Sequence, residues 1–226
     1  MDDTLKREVE RCGRLFIPDE RDQDYPLPMM AVAASQRRKR FWNDTHWMGD
    51  QGWLPHCVGY AWVGWLEADP IRHPGPTPPY DPSQLYRKAQ KVDAWPGENY
   101  AGTSVRAGAK ILKQAGFIKS YHWARTTHDI VQTLLNVGPV VVGTKWFSNM
   151  ARPSQGGVGR PTGRLLGGHA YLLTGVNRDT GYFRARNSYG LAWGKEGRLY
   201  IKIKDMARLL AQNGEACLAI ERRIGE

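Results

Sequence analysis

Four side chains of this sequence supply the parts of a thiol-based acyl transfer. A thiol that attacks a carbonyl needs a base, a group that orients the base, and a donor aimed at the developing oxyanion. Cys57, His169 and Asn187 are suited to act as nucleophile, base and orienting group. Gln51, six residues before the cysteine, supplies an amide donor. These residue types predict nucleophilic catalysis at Cys57.

A predicted β-hairpin brings the base to its orienting group. An apolar run opens with His169, turn-forming residues follow at 177–181, and a second run leads to Asn187. If the turn is centred on Arg178, His169 and Asn187 face each other with Cβ atoms roughly 5 Å apart. The amide oxygen then accepts the imidazole N–H and leaves the other ring nitrogen for a thiol.

Cys57 is predicted in the first turn of a buried helix. After Pro55, apolar side chains recur at helical spacing, at Val58, Ala61, Trp62, Trp65 and Leu66. A helix N-terminus and a nearby imidazolium both stabilise an anion, so we expect the thiol pKa to be lowered. The alternative is that Cys57 is simply a small buried hydrophobe. The sequence contexts of Gln51, His169 and Asn187 together favour the role of Cys57 as a nucleophile.

Several segments of the chain resemble the papain-like cysteine peptidases. The longest is Asn-Ser-Tyr-Gly-Leu-Ala-Trp-Gly-Lys-Glu-Gly at 187–197, and this motif is also the most specific. The resemblance runs from about residue 49 to residue 217 and is patchy between 70 and 136. The other matching segments are 50–57, 138–140 and 168–170.

This resemblance implies a role for each candidate residue. Cys57 is the nucleophile, His169 acts first as base and then as acid, and Asn187 orients the imidazole. Gln51 and the Cys57 backbone N–H form the oxyanion hole. Trp193 shields the histidine–asparagine contact from water and is a candidate substrate-binding residue.

The fold implied by the resemblance is α+β with two lobes and an active site in the cleft between them. Residues 1–48 form an N-terminal extension, and 49–137 a helical lobe that carries the cysteine helix. Residues 138–226 form an antiparallel, barrel-like β lobe that carries the histidine and asparagine, so the whole is one catalytic unit. Gly102 and Thr103 border the pocket for the residue that precedes the scissile one.

The chain departs from the family pattern at several positions. Leu-Pro-His-Cys-Val at 54–58 stands where Cys-Gly-Ser-Cys-Trp is usual, so the neighbouring disulfide cysteine is missing. His169 follows Cys57 by 112 residues and Asn187 follows it by 130, both shorter than usual. Gly168 replaces a commonly polar residue, and Tyr189 replaces a tryptophan. No catalytic group is lost.

The N-terminal region predicts a cytoplasmic enzyme made without a propeptide. The first ten residues are too charged for a signal peptide, and no apolar run approaches the ~18 residues of a membrane span. Three sparse cysteines fit a reducing compartment. The stretch before Gln51 looks too short to occlude a cleft. This organisation is similar to compact papain-like proteins of bacteria and phages.

The net charge of +10 includes a basic run at 37–40, followed by Phe41 and Trp42. We interpret the run as a solvated face, since no nucleic-acid reading helix accompanies it. The glycine-rich stretch at 156–163 lacks the Gly-Lys-Ser/Thr ending of a phosphate loop. The remaining histidines lack metal-ligand spacing, so we expect neither metal nor cofactor.

We therefore predict a peptide-bond hydrolase that acts on peptide or protein substrates through an acyl-enzyme, with no specific nucleic acid and no membrane as partner. Two alternatives stay open. One is a non-catalytic papain-like module, for instance in a virion or a host-interaction complex. The other is a thiol amidase or acyl transferase, because the same constellation serves any acyl transfer. The sequence does not indicate the natural substrate or the oligomeric state.

Overall fold

The computed structural model describes residues 3–73, 78–97 and 99–221. Short 3₁₀ and α-helical turns connect its main elements. The helices are α1 (Asp3–Glu10), α2 (Met29–Val32), α3 (Cys57–Glu67), α4 (Pro82–Gln90), α5 (Val105–Gln114), α6 (Thr127–Asn136), α7 (Ser148–Ala151) and α8 (Ile203–Ala211). The strands are β1 (Lys39–Phe41), β2 (Ile118–Ala124), β3 (Val140–Phe147), β4 (Leu165–Asn177), β5 (Tyr182–Arg186), β6 (Arg198–Lys202) and β7 (Glu215–Glu221).

Local capping explains where the middle helices begin. The Asp81 side chain accepts the Gln84 backbone N–H at the start of α4, and Ser104 does the same for α5. At α6, Thr126 and Asp129 form a reciprocal capping box. Capping signals in the sequence predict that these helices begin near Ser83, after Thr103 or Ser104, and at Thr126, all within two residues of the observed starts.

The strands form one antiparallel sheet in the order β2-β7-β3-β4-β5-β6, with β1 paired to β4. The α+β prediction is confirmed. The sheet is open rather than closed into a barrel. Its strand β1 comes from the N-terminal extension, which is thus part of the sheet. No helix in the described ranges is long and apolar enough to cross a membrane.

Both faces of the central strands are buried, which explains their continuous apolar sequence. Val141 and Leu172 pack into a core with α3, α4 and α5. Their neighbours Val140, Val142 and Leu173 point to the other face and pack against α6 and α8. Because side chains alternate along a strand, one sheet separates two hydrophobic cores. The candidate site lies where α3 meets β4.

The register of the β4–β5 hairpin differs from the prediction. Leu172 pairs with Arg186 and Leu173 with Ala185, with a bulge before Gly175. This register shifts the strands by two residues, so His169 and Asn187 are not cross-strand partners. His169 pairs instead with Thr144 of β3. The prediction assumed a turn centred on Arg178, whereas the turn spans 178–181.

A buried carboxylate joins the chain before the site to three strands. Asp44 accepts hydrogen bonds from Thr174 of β4 at 2.7 Å, Arg186 of β5 at 3.2 Å and Arg198 of β6 at 2.7 Å. Burial alone raises the pKa of Asp44, but the Arg198 hydrogen bond and the charges of Arg184 and Arg186 lower it to about 2. The carboxylate is therefore ionised at neutral pH.

Replacing Asp44 with alanine leaves three mostly buried guanidiniums without their anion. We expect a loss of about 3–5 kcal/mol in the free energy of unfolding, measured by urea denaturation at neutral pH. The stabilisation by Asp44 is present above its unfolded pKa and disappears as pH falls through about 2.

The matched control for this change is Asp179→Ala. Asp179 pairs with Arg38 at 2.6 Å, but both side chains are more than half exposed. Exposed pairs contribute about 0–1 kcal/mol. Equal losses for the two variants would contradict a structural role for the buried cluster.

Candidate active site

The histidine and asparagine of the site are joined by a buried hydrogen bond. His169 Nε2 lies 2.8 Å from Asn187 Oδ1. Asn187 stands one residue beyond β5, and its backbone N–H donates to Gly197 O at 3.0 Å. His169 Nδ1 has no hydrogen-bond partner within the described ranges. The asparagine thus selects the tautomer with the proton on Nε2, which leaves Nδ1 as an acceptor.

Cys57 opens α3, as the sequence predicts, and its thiol is fully buried. Backbone hydrogen bonds from Ala170, Gly13 and Val58 lower the thiol pKa, but burial outweighs them and raises it to about 11. Ala170 directly follows His169, so the thiol contacts the backbone of β4 next to the histidine. The expectation of a lowered pKa is wrong for this arrangement because water cannot reach the thiol.

Gln51 is held in place by hydrogen bonds on both sides of its amide. Its Oε1 accepts from Ser188 Oγ at 2.6 Å, which leaves Nε2 as the donor that points away. Nε2 donates to Leu54 O at 2.6 Å and to Arg11 O at 3.0 Å. The predicted oxyanion donor, Gln51 Nε2, is therefore already bound to carbonyl oxygens of the chain itself.

Three aromatic rings surround the histidine–asparagine pair. Trp146 of β3 and Tyr189 lie 4.5 Å and 5.0 Å from the His169 ring, between ring centres. Trp193 packs behind them, 6.4 Å from Trp146 and 5.2 Å from Tyr189. Sequence analysis missed Trp146. It lies on β3, two residues after Thr144, the cross-strand partner of His169. The apolar run at 140–142, which predicts a strand, is the sequence signal that leads to it.

A short stretch of the N-terminal extension runs through the cleft. We call residues 11–15 the occluding segment. Arg14 forms a parallel β-bridge with Thr103. The Thr103 N–H donates to Gly13 O and Leu15 N–H donates to Thr103 O, both at 2.9 Å. On the opposite side, Arg14 N–H donates to Gly168 O at 3.0 Å. The expectation that this stretch is too short to occlude the cleft is wrong.

Two glycines let the occluding segment pass between the lobes. A Cβ atom on Gly13 would lie 1.8 Å from Pro55 O, and one on Gly168 would lie 2.1 Å from Arg14 O. Any larger residue at either position would clash with backbone. The glycine before the histidine, unusual for the family pattern, is thus explained by the backbone that crosses it.

Contacts on either side anchor the occluding segment. Glu8 of α1 forms an ion pair with Arg152 at 2.9 Å. The Arg11 guanidinium lies 3.3 Å from the ring centre of Tyr189 and 4.6 Å from that of Trp53. Burial and the Arg11 charge lower the pKa of His169 to about 3, against the Asn187 hydrogen bond. Thiol and imidazole are therefore both neutral while the segment is in place.

The basic run at 37–40 makes local structural contacts. Arg38 pairs with Asp179 at 2.6 Å. Arg40 lies 3.5 Å from the ring centre of Trp42 and donates to Leu135 O at 3.0 Å. Among the described residues, no group of three or more His, Cys, Asp or Glu side chains is arranged to hold a metal ion.

Comparison with known proteins identifies the fold. No protein-family profile and no curated protein matches the sequence. Xylellain, a cysteine protease from Xylella fastidiosa, aligns with a TM-score of 0.74 and 18% identity over 95% of this chain and 98% of its own. ProCathepsin B S9 from Trypanosoma congolense aligns with a TM-score of 0.70 and 11% identity over 95% and 88%. Bromelain protease from Ananas comosus gives 0.60 and 14% over 82% and 100%. The chain has the fold of papain-like cysteine proteases.

Gly13→Ala places a methyl group against the Pro55 carbonyl and should displace the occluding segment. Overpacking of this kind costs about 1–3 kcal/mol, so we expect Cys57 to be alkylated about 10-fold faster or more. The rate is measured by mass spectrometry of Cys57 and Cys217 in the same sample. Gly156→Ala is the control, because its added Cβ meets no atom closer than 4.0 Å. Equal Cys57 rates in the two variants would show that the segment does not limit access.

The pH dependence of Cys57 alkylation should also change on displacement. In the unaltered chain the pKa of about 11 keeps the thiol neutral, so the rate rises with pH well into the alkaline range. In Gly13→Ala, water and an imidazolium stabilise the thiolate, and the rise moves to lower pH. N-acetylcysteine provides the reference profile. Superimposable profiles for the two proteins would contradict our assignment of the raised pKa to the covering segment.

Proposed function

We propose that the protein is a thiol-dependent peptide-bond hydrolase with Cys57 as its nucleophile. The observation that carries the proposal is the 2.8 Å bond from His169 Nε2 to Asn187 Oδ1, with Nδ1 unpartnered in the described structure. Nδ1 is then the ring atom available to accept a proton from the thiol. The papain-like fold supports the same assignment.

The proposed reaction proceeds in two steps. His169 Nδ1 takes the thiol proton as Cys57 Sγ attacks the scissile carbonyl, and then gives that proton to the leaving amine as the C–N bond breaks. An acyl-enzyme remains. Water, activated by the same imidazole, attacks the thioester and releases the acid product together with the thiol. Asn187 holds the ring in position through both proton transfers.

Gln51 is proposed to stabilise the oxyanion together with the Cys57 backbone N–H. Its Nε2 already donates to a carbonyl oxygen, that of Arg11, at 3.0 Å. The amide cannot rotate freely because Ser188 holds its Oε1 at 2.6 Å. A preorganised donor of this kind lowers the transition-state free energy because it needs no reorientation when charge develops.

The occluding segment makes the described arrangement a resting state. A peptide or protein substrate has to replace residues 11–15 between Thr103 and Gly168 before its carbonyl reaches the thiol. Displacement also returns water to the thiol and imidazole. The charge-separated pair then becomes favourable, since the desolvation that keeps both groups neutral is removed. Opening of the cleft and formation of the thiolate–imidazolium pair are thus one event.

Covalent labelling tests the nucleophile directly. A peptidyl epoxide should modify Cys57 and leave Cys12 and Cys217 unmodified, as read by mass spectrometry of the Gly13→Ala protein. Cys57→Ala should abolish turnover without loss of fold. Labelling of all three thiols at equal rates would refute the assignment. Identification of the products as free acid and amine separates hydrolysis from acyl transfer.

Gln51 and Asn187 should differ in kinetic signature. Gln51→Ala should lower kcat by a factor of about 10² to 10³, because a transition-state donor is lost. Asn187→Ala should lower kcat less, because β4 still positions the imidazole. For both variants, kcat and KM are measured with a fluorogenic peptide in the Gly13→Ala background. If Gln51→Ala raised only KM, Gln51 would bind substrate rather than the oxyanion.

A further inference from the structure

The wall of the cleft opposite β4 is a short loop, and we call residues 100–103 the wall loop. Its last residue, Thr103, binds the occluding segment through two backbone hydrogen bonds. The Thr103 N–H donates to Gly13 O, and Thr103 O accepts from the Leu15 N–H, both at 2.9 Å. An extended substrate backbone in the same place meets the same two groups. The orientation of the Thr103 peptide groups therefore determines how a bound backbone lies in the cleft.

The wall loop has a strained and flexible point at Gly102. The φ angle of this residue is +114°, a conformation that favours glycine. A Cβ atom at this position would also lie 2.8 Å from Gly13 O. Glycine thus allows the occluding segment to approach, but it gives the loop more conformational freedom than any other residue would. The loop therefore depends on contacts from other elements for a fixed shape.

Helix α4 supplies these contacts from one of its faces. The Tyr86 hydroxyl accepts the Gly102 N–H at 2.8 Å. Gln90 Nε2 donates to Tyr100 O at 2.8 Å and to Gly102 O at 3.2 Å. Tyr86 and Gln90 are four residues apart on the helix, so they project from the same side, and they are 4% and 6% exposed. Both backbone polar groups of Gly102 are thus bonded to α4.

A third side chain continues this face beyond the end of α4. Asp93 follows Gln90 by three residues, so its position continues the helical spacing. Its two carboxylate oxygens accept from Tyr100 Oη and Thr103 Oγ1, both at 2.6 Å. Hydrogen bonds to an ionised acceptor are stronger than those between neutral groups. The carboxylate therefore fixes both ends of the wall loop.

The same face of α4 also contacts the start of the helix that carries the nucleophile. His56, the residue before Cys57, stacks on the Tyr86 ring with the ring centres 4.1 Å apart. The backbones of α3 and α4 are in contact here, because a Cβ atom on Gly59 would lie 2.0 Å from Pro82 O. Tyr86 thus contacts the wall loop through its hydroxyl and the residue next to the nucleophile through its ring.

We propose that Tyr86 and Gln90 are positioning residues that fix the wall loop relative to Cys57, so that the Thr103 peptide groups bind the backbone of a substrate. This inference rests on the proposed peptidase function. Both side chains act through the wall loop and do not themselves touch the substrate. Without their hydrogen bonds the Gly102 peptide groups reorient, which weakens the binding of the occluding segment and of a substrate alike.

The test uses two variants that remove hydrogen bonds and keep shape. Tyr86→Phe removes one hydroxyl and retains the ring against His56, and Gln90→Met retains the length of the side chain without its donors. Thr126→Ala is the control, because it removes the N-cap hydrogen bond of α6 and leaves the wall loop unchanged. The Tm of each protein is measured, so that effects on the cleft are separated from a general loss of stability.

In the otherwise unaltered full chain, both variants should weaken the binding of the occluding segment. We expect Cys57 to be alkylated about 10-fold faster, as for the loss of one hydrogen bond with a buried partner, and the Cys217 rate to stay the same. The Thr103 amide proton should also exchange faster with solvent, as measured by NMR. Thr126→Ala should change neither quantity. If both variants keep the Cys57-to-Cys217 rate ratio of the unaltered chain, the proposal is wrong.

In the Gly13→Ala background, the same two variants should slow the cleavage of a fluorogenic peptide. We expect kcat/KM to fall about 10-fold, mainly through a higher KM, because Thr103 binds the substrate equally in the ground state and the transition state. Faster labelling of Cys57 together with slower cleavage distinguishes positioning from general unfolding, which would expose Cys217 as well. An unchanged kcat/KM in both variants would also overturn the proposal.

The labelling and exchange measurements separate this proposal from the proposed function. If the Gly13→Ala protein cleaves no peptide and a peptidyl epoxide leaves Cys57 unlabelled, the peptidase assignment fails. The Cys57 alkylation ratio and the Thr103 exchange rate then still decide whether Tyr86 and Gln90 fix the wall loop, because the occluding segment reports on it. If one of the two variants does not fold, the other decides alone.

Discussion

The arrangement of the site depends on one carboxylate bound by three guanidiniums. Asp44 belongs to the segment that leads to Gln51, and its partners lie on β4, β5 and β6. Arg186, one of them, directly precedes Asn187. The oxyanion donor and the orienting asparagine are therefore positioned by the same ion cluster. Gln51 and Asn187, which are 136 positions apart in the chain, keep a fixed relation because the buried charges cannot separate without large cost.

The second constraint is the narrow cleft between α3 and β4. An extended backbone fits there only because Gly13 and Gly168 carry no side chain. Once in place, the segment makes a β-bridge on one wall and a hydrogen bond on the other, and it excludes water from Cys57 and His169. The raised pKa of Cys57 and the lowered pKa of His169 are therefore consequences of the same burial. The hydrogen bond between His169 and Asn187 therefore coexists with a neutral thiol and a neutral imidazole.

The Arg14 side chain anchors the occluding segment in the cleft through specific hydrogen bonds. Backbone hydrogen bonds alone would accept almost any sequence, whereas a guanidinium between the Glu215 carboxylate and the Asn213 carbonyl requires arginine. Closure of the cleft thus depends on one buried ion pair as well as on backbone hydrogen bonds.

Local sequence was sufficient for the parts of this protein that depend on neighbouring residues. The cysteine at a helix start and the side-chain hydrogen bond between His169 and Asn187 were predicted from local motifs, and the α+β class from the resemblance to papain-like peptidases. The hairpin register did not follow, because a bulge and the turn length shift it by two residues. The occluding segment, the raised thiol pKa and the Arg14–Glu215 pair were decided by tertiary structure alone. Each depends on residues far apart in the chain, and burial, which sets their charges, exists only once the two cores have packed around the cleft.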